Sequence, residues 1–242
     1  MKTRIRKGHG AYMLRQFFKY IFQSIAGMIG ISVYILADTF FISVHSGADG
    51  LAVLNLILPV YGLVYAIGAM IGIGSATRFG INRAKGENTD HYFLQSVFWS
   101  VLCSVPFIIT GIVAPEKFLH LLGADAGLTA LGKSYLRIML ITTPLFMANY
   151  TFTAFARNDQ GTSTAMAGAI SASLFNIVFD YIFMFPMKLG LAGAALATAI
   201  SPAITMAICT THYLGKKNHV GFRWVRPSLR PVSYTHLRAH ET

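Results

Sequence analysis

Two carboxylates in this sequence, Asp38 and Asp180, stand where a carboxylate is costly. Seven of the nine acidic residues, Asp49, Glu87, Asp90, Glu116, Asp125, Asp159 and Glu241, fall in polar connections or termini. Asp38 lies in VYILADTFF and Asp180 in LFNIVFDYI, flanked on both sides by apolar residues. An ionised side chain near the middle of a membrane-spanning helix costs about 2.5–3.5 kcal/mol on the insertion scale, so two of them point to function or to a partner. Neither stretch contains a Lys or Arg to serve as that partner. Asn176 precedes Asp180 by four residues, which puts an amide and a carboxylate on one helix face. Such a face offers oxygen ligands to Na⁺ or holds a proton, because hard cations prefer oxygen donors. The plainer reading is a polar seam that joins helices by hydrogen bonds; the second aspartate favours cation chemistry. Tyr34, one turn before Asp38, is a candidate support for it, although packing is the ordinary role of a membrane tyrosine.

These side chains need apolar helices to hold them, and the composition supplies them. Residues of hydrophobic type make up 54% of the chain and charged ones 12%, with mean hydropathy +0.54, against roughly 25% charged in soluble domains. Six apolar segments can be drawn: 17–44, 51–77, 92–113, 135–156, 162–185 and 189–214. Each reaches the roughly 20 residues that a hydrocarbon core requires. The expected fold is all-α, a polytopic membrane protein with six transmembrane helices over 17–214. Between the segments lie turn and polar residues: His45-Ser46-Gly47, 82–90, 114–133, 158–161 and Pro186-Met187-Lys188. Pro144 and Pro202 fall inside segments, where proline kinks a helix or serves as a hinge. Small residues recur at Gly68–Gly74 and Gly190–Ala195, either as close-packing seams or as a pathway lining. No GK[ST] follows the first run, which removes a phosphate loop.

The formal charge of +11 sits at segment ends, and no basic face interleaved with aromatics exists to suit nucleic acid. Cys103 and Cys209 lack CxxC spacing and read as small hydrophobes. His91, His120, His212 and His219, near segment ends, are read as interfacial polar tips without chemistry. Placing the N-terminus inside puts 16 of the 20 Lys and Arg residues on the cytoplasmic side, as the positive-inside rule demands. Both termini are therefore expected in the cytoplasm, with a basic N-terminal stretch at 1–16 and the start of a linker at 215–230. The ending SYTHLRAHET resembles the translated sequencing-adapter peptide of truncated reading frames. Residues 231–242 are accordingly read as a non-native tail, and His236 and His240 not as a metal pair.

The segments ILADTFFIS, AFARNDQG, FNIVFDYIFMF and GAALATAIS together resemble the multidrug and toxic-compound extrusion (MATE) family, over roughly Arg15 to Arg230. The ARND turn with NxxxDYIFMFP is similar to its bacterial multidrug branch. The resemblance implies one six-helix lobe, the N-terminal one, of a twelve-helix transporter whose central cavity needs both lobes. It also implies that Asp38, Asn176, Asp180 and Thr198 form a cation-coupling site, with Thr198 added to the set by the resemblance alone. The expected activity is export of organic cations or amphipathic drugs across the plasma membrane in exchange for Na⁺ or H⁺. The expected partners are the bilayer, the drug and a C-terminal lobe, with no cofactor, no metal beyond a Na⁺ at those residues, and no nucleic acid. A lipid-linked saccharide flippase of related architecture is an alternative, but it would be expected to line its cavity with Lys and Arg, which the segment interiors lack. An intramembrane enzyme would need a catalytic frame at matched depth; Asp38 and Asp180 imitate a dyad, yet Asn176 and Thr198 look more like cation ligands. The chain is not expected to be an enzyme.

Overall fold

A computed structural model describes residues 2–215 and 218–224. The tail read as non-native, 231–242, and half of the linker, 216–217 and 225–230, lie outside these residues. Every regular element among the described residues is helical. The first helix, α1, runs over Lys2–Ala84 and so absorbs the basic N-terminal stretch from Lys2 onward. Its apolar part, Tyr20–Ala84, has 65 residues. At 1.5 Å per residue that is roughly 100 Å, about three times a bilayer core, so it cannot cross once. It turns at a single residue, Gly47, with φ 59° and ψ −146°, a conformation that a Cβ would strain. The expected His45-Ser46-Gly47 loop is thus one residue of non-helical backbone between two helical arms. Tyr34 and Tyr61, nearly equidistant from Gly47 on either side, lie within reach of each other, and Ile42 and Val53 share one buried cluster, so the arms run antiparallel.

The remaining helices are α2 (Tyr92–Val113), α3 (Pro115–Leu121), α4 (Ala126–Ile141), α5 (Thr143–Asn158), α6 (Thr162–Met184) and α7 (Leu191–Tyr213). Two expectations need correction here. The stretch 114–133 is not a loop: Pro115 opens α3, and Asp125 caps α4 by accepting from the Leu128 amide at 2.8 Å. The fourth segment, 135–156, is not one helix but α4 and α5 bent by 45° at Thr142. Pro144 causes the break, since it cannot donate to the Leu140 carbonyl and its ring would clash there. The Thr143 hydroxyl takes over that carbonyl at 2.8 Å.

Two ends of the bundle are fixed by contacts between turns. His45, beside Gly47, lies against Gly190 and meets the Phe185 ring edge-on at 5.9 Å, so the α1 turn and the α6–α7 turn share one end. Arg83 bonds Asp159 at 2.6 Å, so the end of α1 and the α5–α6 turn share the other. Counting both arms of α1 and taking the bent α4–α5 pair as one crossing, the bundle crosses six times. The result is an all-α polytopic membrane lobe with large apolar side chains such as Phe40, Ile109, Ile112 and Leu174 turned outward.

The first arm of α1 packs on α6, with Phe41 beside Tyr181 and Phe185. The second arm packs on α5, with Phe79 on Phe155 at 5.3 Å. Gly72 touches the α5 backbone so closely that a Cβ would lie 2.6 Å from the Tyr150 carbonyl carbon. Of the two readings of the small-residue runs, close packing is therefore what Gly72 does. One apolar cluster gathers Ile42, Val53, Leu136, Leu140, Met184 and Leu191. A second gathers Phe79, Phe93, Phe155, Cys209, Tyr213 and Val220 at the Asp159 end.

Candidate functional site

Asp180 lies one turn before Met184 on α6, and Asp38 one turn before Ile42 on α1; both apolar residues are fully buried in the first cluster. Helix α7 reaches the same depth because it approaches α6 closely. Gly193 sits against the Phe183 backbone, and Ala194, Ala195 and Ala197 are all at 0% exposure. Thr198 is thereby carried up to Asn176. The Asn176 side chain is 1% exposed and Asp180 0%.

With its amide nitrogen toward α6's carboxylate, Asn176 donates to Asp180 Oδ2 at 3.0 Å. Its oxygen then accepts from the Thr198 hydroxyl at 3.2 Å and from the Thr198 amide at 3.3 Å. The opposite orientation would set the amide oxygen against the carboxylate, which an ionised Asp180 disfavours. Asn176 therefore bridges α6 and α7 within a single polar unit. Pro202 follows Thr198 by four residues inside α7, so the Thr198 carbonyl lacks its ordinary helical donor.

The first arm adds Asp38, which is 8% exposed. Asp38 lies within electrostatic reach of Asp180, and both lie within reach of Tyr34 and Tyr135. One carboxylate oxygen of each aspartate, Oδ1, is buried without a hydrogen-bond partner. Among the described residues, the ion pairs fall on Asp159 and Glu116 and on neither of these two. A buried carboxylate oxygen without a donor is expensive, and a bound cation or proton is what would relieve it.

The structure thus brings Asn176, Asp180 and Thr198 into contact, with Asp38 and Tyr34 beside them. Tyr135, buried at 3% exposure on α4, was missed by sequence reasoning. It opens an apolar segment, and nothing in its spacing separates it from a packing tyrosine.

A second polar centre was misread from the sequence. Asp159, assigned above to a polar connection, is 1% exposed. Its Oδ1 accepts from Arg83 at 2.6 Å and from His219 Nδ1 at 3.0 Å; its Oδ2 accepts from His212 Nε2 at 3.1 Å and the His219 amide at 2.9 Å. His212 and His219 are therefore not interfacial tips. His91 and His120 do stay local, the first stacked on Tyr92 and the second 2.9 Å from the Ala124 carbonyl.

A six-crossing lobe with buried acidic and amide side chains between its helices is the architecture of a secondary transporter half. Comparison with known proteins gives the family. The MatE family model matches residues 24–182, and the chain belongs to that family, whose members are transporters and not enzymes. The Multidrug export protein MepA of Staphylococcus saprophyticus is 28% identical over 202 residues, covering 81% of this chain and 44% of its own. MepA of Staphylococcus aureus strain MRSA252 is 25% identical over 171 residues, covering 70% and 38%. Among solved structures, an outward-facing multidrug resistance MATE family transporter matches with TM-score 0.76 at 25% identity, over 87% of this chain and 48% of its own. A MOP superfamily transporter from Pyrococcus furiosus matches with TM-score 0.77 at 25% identity over the same shares. The chain spans about half the length of the relatives it matches.

Proposed function

We propose that this chain is the first lobe of a cation-coupled multidrug exporter in the cell membrane, and that Asp38, Asn176, Asp180 and Thr198 bind the coupling ion. The observation that carries the reading is the pair of buried, unpartnered Oδ1 atoms on Asp38 and Asp180. An exporter's substrate is drawn from organic cations or amphipathic drugs, as the relatives named multidrug export protein suggest. The lobe, 17–214, would be followed by a linker and by a second lobe completing the drug cavity, with the Asp159 end of the bundle facing the cytoplasm.

In this mechanism the residues act in sequence. When the site opens to the outside, Na⁺ or a proton reaches the Asp180 and Asp38 oxygens. Asn176 holds Asp180 Oδ2 in place and Thr198 holds Asn176, so the ion meets a preformed cluster of oxygens. One positive charge held between two neighbouring carboxylates offsets their repulsion and lets the first arm of α1 move toward α6. The space available to drug then shrinks, and drug leaves as the ion enters.

The test uses everted membrane vesicles carrying the reading frame extended through a second lobe. An imposed Na⁺ or H⁺ gradient is expected to drive uptake of a fluorescent cationic drug such as ethidium. Drug movement independent of both gradients would overturn the reading.

A further inference from the structure

The segment that leaves α7 does not hang free. Residues 218–224 turn back and cross the Asp159 end of the bundle toward the start of α2. His219 supplies two donors to the one Asp159 carboxylate, its backbone amide and its ring. Because a carboxylate only accepts, both His219 Nδ1 and His212 Nε2 must carry protons, which fixes each ring's orientation. Asn218 closes a local turn through the Val220 amide at 2.8 Å. Val220 is 4% exposed and enters the second core cluster. Gly221 presses on Asp90 so closely that a Cβ would lie 2.2 Å from its Oδ1, so only glycine fits. The Arg223 amide donates to the Asp90 carbonyl at 3.0 Å. Phe222 then meets Phe93 at 5.3 Å, and Trp224 meets Phe98 at 5.8 Å.

The anchoring groups come from four places in the chain. Arg83 ends α1, Asp159 ends α5, His212 ends α7, and His219 belongs to the crossing segment. A single buried carboxylate therefore ties three helix ends to the chain that departs from them. Four donors on one carboxylate exceed what closing a turn between α5 and α6 requires.

We propose that Asp159 is a positioning residue for export: it clamps residues 218–224 to the helix ends, so that the connection to the second lobe departs from a fixed point above α2. Changes in lobe orientation then leave this segment seated on the helix ends and do not peel it away. The role in export rests on the transporter reading above; the clamp itself does not.

The chain's own cysteines supply a test. In a Cys103→Ala background, Val220→Cys places a thiol in the clamped segment, while native Cys209, at 0% exposure in the same core cluster, reports on the core. Membranes opened by freeze–thaw are treated with a membrane-impermeant maleimide, and each thiol is followed by mass spectrometry. With Asp159 intact, both thiols should label slowly. Asp159→Asn or His219→Ala should speed labelling of residue 220 at least tenfold and leave Cys209 protected. Continued protection of residue 220 overturns the clamp; equal exposure of Cys209 shows general loosening and overturns it too. In the extended reading frame, His219→Ala should lower maximal export about tenfold with the drug's KM within twofold. Unchanged maximal export overturns the positioning role, whereas loss of gradient dependence in the unmutated protein would strike only the transporter reading.

Discussion

Asn176 and Asp180 stand one turn apart on the same face of α6, and the amide donates to Asp180 Oδ2 at 3.0 Å while Oδ1 has no partner. This leaves one carboxylate oxygen held and one available. Replacing Asp180 by Asn removes a charge from the hydrocarbon depth, which eases insertion. Asp180→Asn and Asp38→Asn are each expected to reach the membrane at normal levels and to lose at least nine-tenths of gradient-driven export. Quantitative membrane blots paired with vesicle transport check this; export at the unmutated rate in Asp180→Asn would reduce that residue to a hydrogen-bonding role.

Thr198 separates a ligand or orienting role from plain packing. Its hydroxyl meets Asn176 at 3.2 Å, and one buried hydrogen bond contributes roughly 0.5–1.5 kcal/mol, up to about tenfold in binding. Thr198→Ser keeps the oxygen and should bind the coupling ion within about twofold of the parent. Thr198→Val keeps the shape and should weaken binding by about tenfold, read as the shift in the Na⁺ or H⁺ concentration that gives half-maximal export. Equal affinity in both variants would remove Thr198 from the site.

Much of the lobe was legible because lipid forces long apolar helices, and charge gaps mark them. The same signal failed at 114–133, where α3 and the start of α4 carry Glu116, Lys117, Asp125 and Lys133 and look like a loop. Spacing showed that Asn176 and Asp180 share a face, because i and i+4 are neighbours on any helix. Tyr135 was not legible, since its approach to both aspartates depends on how α4 packs against α1 and α6. Asp159 was misjudged for a related reason. A polar residue in an RNDQG turn looks solvated until the chain beyond α7 folds back over it.

Packing at Gly72 gives a direct stability test. A Cβ there would lie 2.6 Å from the backbone of Tyr150 and Thr151, and backbone cannot rotate out of the way. Gly72→Ala should therefore destabilise the lobe by about 1–3 kcal/mol, the range for overpacking. Gly62, on the same arm of α1, has nothing within 4 Å of its would-be Cβ. Gly62→Ala should be neutral or stabilising, by up to about 1 kcal/mol, through helix propensity. Thermal unfolding of detergent-purified protein distinguishes them, and equal midpoints would contradict the α1–α5 contact.

Orientation in the membrane follows from which turns share an end. Gly47 and Gly190 are brought together through His45, and Lys117, Lys133, Arg137 and Lys188 are the four cations assigned to that side by the alternation of crossings. Arg83 and Asp159 meet at the other end, where Arg78, Lys85, Arg157 and Arg223 also fall by the same alternation. Since translocating Lys and Arg is disfavoured, the Asp159 end should face the cytoplasm. A phosphatase inserted at Gly47 is expected to be active, because that enzyme folds only outside the cytoplasm, and one fused after Gly215 is expected to be silent. A fluorescent protein that matures only in the cytoplasm should give the reverse pattern at both positions. Phosphatase activity after Gly215 with silence at Gly47 would invert the lobe; activity at both would break the six-crossing count, since these positions lie at opposite ends of the bundle.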